Sequence, residues 1–249
     1  MLTKHKLEQK LNTHPLIIPR LQTLKLATEI NPKFHNPHIL GGFLRNIALD
    51  MEPNDCDVAF QGYQLNQPGI TEAVRSAEQK LCIEPYPEWE FENIMATGLS
   101  GDFFENTVGK HSNHTDFLTG LMMGVDGKLF ISDDKTLTDI ENRIYDFRFH
   151  GIEIWANHRG KGRSYSSCIV GDLTRGLYLC ASLNLTPSSI ATFLFGYYDK
   201  FFGDLDLNDQ EARKSYWFKK TKYDKKYQLI LDRFHIKSLT TSTDPKTGM

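Results

Sequence analysis

The chain is poor in cysteine, with four in 249 residues. Cys56, Cys82, Cys168 and Cys180 form no Cys-x-x-Cys pair and no Cys/His spacing of a zinc site, which argues against a disulfide framework and a structural zinc and fits free thiols in a reducing compartment. An excess of charge of either sign is also missing: 29 basic side chains face 31 acidic ones, a net charge of -2, which excludes a uniformly basic nucleic-acid coat but permits a local patch. Long apolar runs are absent. Stretches such as Leu16–Ile18 and Ile190–Tyr198 fall short of the roughly 20 residues a bilayer helix needs, so no transmembrane segment or membrane partner is expected. Met1–Lys10 carries several lysines and no apolar run before a small-residue cleavage site; it does not read as a secretory signal, and a cytoplasmic protein is expected. Internal repeats and low-complexity segments are lacking too. What remains is the composition of a globular protein, 40% hydrophobic and 24% charged, long enough for a domain of about 150 residues and a smaller one.

Periodicity divides the chain the same way. Pro19–Ile30 has helical spacing and ends at Asn31-Pro32; His38-Ile39-Leu40 is extended, Gly41-Gly42 a tight turn and Phe43–Leu49 a second helical run. Asn54–Phe60 reads as a strand, Thr71–Leu81 as a helix, and Glu88–Ile94 as a strand that alternates carboxylates with rings. Met122–Val125, Asp126-Gly127 and Lys128–Ile131 make a hairpin. Beyond about residue 150, helices are expected over Ile169–Leu185, Ser188–Lys200, Asp209–Phe218 and Tyr223–Phe234. The expected organisation is therefore an α/β domain over 1–150 with a small mixed sheet, a compact helical domain over 151–237, and a polar, disordered tail over 238–249.

The chemistry concentrates in two spans. Gly41-Gly42 before a helix lets backbone N–H groups approach phosphate oxygens, with Arg45 one turn on. Asp55 and Asp57, two residues apart on a strand, share a face and offer hard oxygen ligands suited to Mg²⁺ or Mn²⁺. Glu90 or Glu92, on a neighbouring strand, supplies a third carboxylate for a two-metal site. Arg159, Lys161 and Arg163 lie in a glycine-containing basic segment, which reads either as a phosphate-binding loop or as a solvated linker. Lys219 and Lys220 begin a lysine-rich stretch interleaved with aromatics, which suits RNA tracking and equally a terminal amphipathic helix with its rings packed inward.

In order and spacing these motifs resemble the head domain of the nucleotidyltransferase superfamily that includes CCA-adding enzymes and bacterial poly(A) polymerases. The resemblance runs from about Leu24 to Phe147: Gly41-Gly42-x-x-Arg45, Asp55-x-Asp57, then His114-Thr115-Asp116-Phe117 where the family has Arg-Arg-Asp-Phe-Thr, then the hairpin and Leu137–Ile144. Asn46 stands where the family has Asp. Asp172-Leu173-Thr174-Arg175 echoes the family's neck motif, with Gly171 in place of its Glu. The resemblance implies a polymerase-β-like nucleotidyltransferase head that transfers a nucleoside monophosphate from a nucleoside triphosphate, ATP among them, to an RNA 3′ end, with tRNA the acceptor. Asp55, Asp57 and Glu90 would be catalytic, the two aspartates binding metal, while Gly41, Gly42, Arg45 and Asp116 would bind nucleotide. Arg159, Lys161, Arg163, Lys219 and Lys220 would hold RNA. Transfer to a protein or small-molecule hydroxyl, and a non-catalytic RNA-binding derivative, are the alternatives.

Overall fold

Residues 1–53, 55–61, 67–86, 89–93, 120–131, 134–147, 165–222 and 224–240 are described by a computed structural model. The chain divides into two units, Met1–Ser112 with Leu118–Asn142, and Asn113–Phe117 with Arg143–Met249. The division falls at 142/143, earlier than the expected 150, because Ile144 and Tyr145 form a strand (β6) paired in parallel with a strand (β7, Thr186–Pro187) deep in the helical part.

The first unit is built on a five-stranded mixed sheet. Its strands are β1 (His35–Leu40), β2 (Cys56–Gln61), β3 (Trp89–Asn93), β4 (Leu121–Gly124) and β5 (Leu129–Ile131), in the order β3-β2-β1-β4-β5. Only β2 and β3 run parallel. Four helices precede β3: α1 (Lys4–Asn12), α2 (Ile17–Ile30), α3 (Gly41–Ala48) and α4 (Gln67–Lys80); α5 (Asp134–Asn142) closes the unit. The charged first residues form α1, which the sequence reading leaves without structure. Thr3 caps it by accepting from the Lys6 N–H, and only Leu7 and Leu11 are buried, a stripe too sparse to stand out among lysines. Gly41 and Gly42 are not a separate turn. They are the first residues of α3, entered directly from extended Leu40, and Gly41 has φ +26°, which a glycine accommodates without a Cβ penalty. The hairpin forms as expected, with Gly127 at φ +79° and the Asp126 carboxylate accepting from the Lys128 N–H.

In the second unit α6 (Tyr165–Ser182) carries the neck-like residues, followed by α7 (Ser189–Gly196), α8 (Tyr198–Gly203), α9 (Leu207–Thr221) and α10 (Lys225–Arg233). The single helix expected over 188–200 is two, parted at Tyr197, which ends α7 and begins α8. Tyr145, Phe147, Phe195 and Phe234 form an aromatic core, with Tyr145 stacked on Phe195 at 6.0 Å. The first residues of the expected disordered tail are held: the Asp199 carboxylate accepts from the backbone N–H groups of Lys237 (2.8 Å) and Ser238 (3.1 Å) and from the Ser238 hydroxyl, and Leu239 is buried. Residues 241–249 lie outside the described residues. Among the described residues no helix is long and apolar enough to cross a membrane.

A Cβ on Gly176 of α6 would lie 2.5 Å from the Tyr145 hydroxyl oxygen and 2.7 Å from the ring carbon bearing it. The ring is wedged against Phe147 and Phe195 and has nowhere to go. Gly176→Ala should therefore lower stability by about 1–3 kcal/mol through overpacking, more than the roughly 1 kcal/mol that alanine adds in a helix interior. Urea unfolding measures this; an unchanged or higher midpoint contradicts it.

Candidate metal and nucleotide site

Strand alternation and register assemble the carboxylates. Asp55 immediately precedes β2 rather than lying in it, and Asp57 is its second residue; in the parallel pairing of β2 with β3, Asp57 stands opposite Glu90. Ligand oxygens of Asp55, Asp57 and Glu90 all lie within 4.8 Å of one another, with Asp55 and Glu90 exposed and Asp57 half-buried. Glu92 is two residues farther along, opposite Ala59. The register thus brings Glu90 to the aspartates. Three hard oxygen donors at this separation, two of them exposed, fit Mg²⁺ or Mn²⁺.

Cys56, between the aspartates, points the other way and is fully buried. Burial pushes its thiol pKa well up; the positive charge of Arg20 pulls against this, and the adjacent Asp57 and Asp55 add to it. The thiol stays neutral and adds no charge to the acidic cluster.

The glycine pair and its arginine are close together, in an arrangement the sequence does not indicate. Arg45 is buried, and its Nε and Nη2 donate to Asn46 Oδ1 at 2.9 and 2.6 Å, while Asn46 Nδ2 donates to the Glu52 carbonyl at 3.1 Å. A Cβ on Gly42 would meet Arg45 Nη2 at 3.8 Å, so the guanidinium lies beside the glycine. Asn46 is thus a neutral acceptor that ties Arg45 to the loop following the helix.

Of the remaining expected residues, Asp116, Arg159, Lys161 and Arg163 lie outside the described residues. Lys219 and Lys220 are exposed in the last turn of α9. Asp172 and Arg175 are half-buried on successive turns of α6. Beside them the Arg213 guanidinium of α9 lies against Gly171, where a Cβ would come within 3.1 Å of its Nη1. Sequence reading missed two buried groups behind the strands, Arg20 and Glu78. Each is a charged residue on a helix with no local motif around it, and only the pairing of distant elements reveals its place.

No family model and no curated protein matches the chain. Solved structures do. A "tRNA-processing enzyme (apo form I)" superposes with a TM-score of 0.58 at 15% identity, over 91% of this chain and 57% of that one. A CCA-adding enzyme in complex with ATP gives 0.58 at 13% identity over 93% and 54%, and the Thermotoga maritima CCA-adding enzyme complexed with tRNA gives 0.55 at 10% identity over 93% and 54%. The chain therefore spans little more than half the length of these structures. At such identities the likeness is one of fold: this chain has the fold of the CCA-adding enzymes, as its motifs imply.

Mn²⁺ bound by the cluster stabilises the folded state by mass action, by about 2.7 kcal/mol at a hundredfold excess over Kd. Thermal melts should therefore shift upward with Mn²⁺ in the unaltered protein and not in Asp57→Asn. An equal shift in both would place the ion elsewhere.

Proposed function

We propose that the protein is a divalent-metal-dependent nucleotidyltransferase that moves a nucleoside monophosphate from a nucleoside triphosphate to the 3′ end of an RNA, with tRNA the acceptor. The observation that carries this reading is the convergence of Asp55, Asp57 and Glu90 within 4.8 Å on the sheet of a CCA-adding fold. Neighbouring structures hold CTP, ATP and tRNA, which supports the choice of partners.

Function follows from the site more than from the fold. Asp55, Asp57 and Glu90 present the oxygens that would hold Mg²⁺ or Mn²⁺. When bound, such ions neutralise charge on the triphosphate and lower the pKa of the attacking hydroxyl. Gly41 and Gly42 open the N-terminus of α3 without side chains, so that its unpaired N–H groups and positive dipole end can meet the triphosphate. Arg45, tied down by Asn46, adds a fixed positive charge beside Gly42. The acceptor hydroxyl attacks the α-phosphorus in line, the bond to the bridging oxygen breaks, and pyrophosphate leaves. Positioning and charge neutralisation account for most of the acceleration. Asp116 is assigned to nucleotide binding. Arg159, Lys161, Arg163, Lys219 and Lys220 are assigned to the RNA backbone, whose neutralisation by basic side chains is salt-dependent.

The test is incubation with Mg²⁺ or Mn²⁺, each labelled nucleoside triphosphate in turn and total RNA, beside Asp55→Ala/Asp57→Ala. Label should enter RNA 3′ ends, and the double variant should lose at least about a hundredfold in rate, since several kcal/mol of charge stabilisation goes with the carboxylates. Label entering protein or a small molecule would reassign the acceptor. No incorporation, with RNA bound equally by both proteins, would leave a binding module.

A further inference from the structure

Trp89 and Glu90 begin β3, and the strand's inward and outward sets are nearly self-repeating: Trp89 and Phe91 on one face, Glu90 and Glu92 on the other. A slip of β3 by two residues along β2 keeps every side chain on its proper face, so alternation alone does not choose between Glu90 and Glu92 as the partner of Asp57. Something else must break this degeneracy.

The structure has such a device behind the sheet. Glu78 of α4 is 2% exposed, and its Oε1 accepts from the Trp89 indole Nε1 at 2.9 Å and from the Tyr86 backbone N–H at 3.1 Å. A phenylalanine offers no such N–H, so only the observed register brings a side-chain donor to Glu78 beside the backbone one. The anchor is itself held. The Tyr86 ring lies 3.5 Å from the guanidinium of Arg20, which is 6% exposed, has Phe43 at 4.9 Å and donates from Nη1 to the Leu16 carbonyl. Trp89 stacks on Phe91 at 5.8 Å, fixing the indole plane. Desolvating a carboxylate is costly, and at this position an apolar side chain would pack without that cost. What the carboxylate adds is discrimination between two registers.

We propose that the Glu78–Trp89 hydrogen bond is a register lock: Glu78 is a positioning residue that, through Trp89, selects Glu90 over Glu92 as the third carboxylate. The proposal rests on the metal-site reading above.

Mn²⁺ titration followed by electron paramagnetic resonance tests it, with Trp89→Phe, Glu78→Gln and Glu78→Leu and a melting curve for each. Trp89→Phe keeps the stacked ring and loses only the indole donor. It should fold and bind Mn²⁺ about tenfold more weakly, the usual scale when a group that orients a ligand is removed. Glu78→Gln retains an acceptor oxygen and should stay within about threefold of the unaltered protein. Glu78→Leu removes the same bond from the other side and covers the case in which Trp89→Phe fails to fold. Adding Glu92→Gln should be silent in the unaltered background and should weaken binding further in Trp89→Phe. Asp57-dependent Mn²⁺ binding that Trp89→Phe and Glu78→Leu leave unchanged overturns the register lock alone. Absence of any Asp57-dependent binding in the unaltered protein overturns the metal-site reading and the lock with it.

Discussion

The parallel pairing of β2 with β3 is the constraint on which the site depends. Asp55 and Asp57 are neighbours along the chain, but Glu90 comes from another strand, and without that pairing its carboxylate has no reason to lie beside two others. In the ion-free protein the three carboxylates repel one another, and nothing about their own energetics favours the arrangement. The attraction that holds it is on the opposite face, where Cys56, Val58, Trp89 and Phe91 pack toward α2 and α4. The Phe34 ring, 5.1 Å from Phe60 and 6.1 Å from Phe91, joins the two strands across that face. Apolar burial on one side of the sheet therefore offsets the repulsion on the other, and a bound cation would reverse the sign of the electrostatic term.

A second part of the site is local and independent of that pairing. β1 runs straight into α3, so the Gly41-Gly42 pair sits where an extended strand becomes a helix, with backbone N–H groups unpaired as at any helix start. Arg45 and Asn46 brace this start through side chains of consecutive residues, and Asn46 carries the brace on to the Glu52 carbonyl, just ahead of the strand that bears the aspartates. The Asn46 amide makes this brace without bringing a negative charge to it.

Much of this was legible in the sequence because its signals are short-range. The glycine pair, the Asp-x-Asp alternation, the Asp-Gly hairpin and the period-two pattern of β3 each lie within a few residues; the hairpin and β3 exist where the pattern puts them, while the glycines open a helix instead of forming a turn and Asp55 stands just before its strand. Register was not legible, since alternating Trp-Glu-Phe-Glu reads the same after a shift of two. The backing network was not legible either: Arg20, Cys56, Glu78 and Trp89 meet only once α2, β2, α4 and β3 have packed. Composition misled at both ends of the chain. A lysine-rich start forms α1 on two leucines, and Lys237 and Ser238 are held because Asp199 accepts their N–H groups. At Tyr197 the apolar run continues while the helix does not, so the run alone predicted one helix where there are two.

The central claim is that Asp55, Asp57 and Glu90 form one metal site. A crystal structure with Mn²⁺ and a non-hydrolysable nucleoside triphosphate, read by anomalous scattering, tests it most directly. The account predicts manganese peaks within ligand distance, about 2.0–2.3 Å, of oxygens from all three carboxylates, with the triphosphate reaching the N–H groups of Gly41 and Gly42. Manganese coordinated by Glu92 with Glu90 turned to solvent, or bound away from the aspartates, would contradict it.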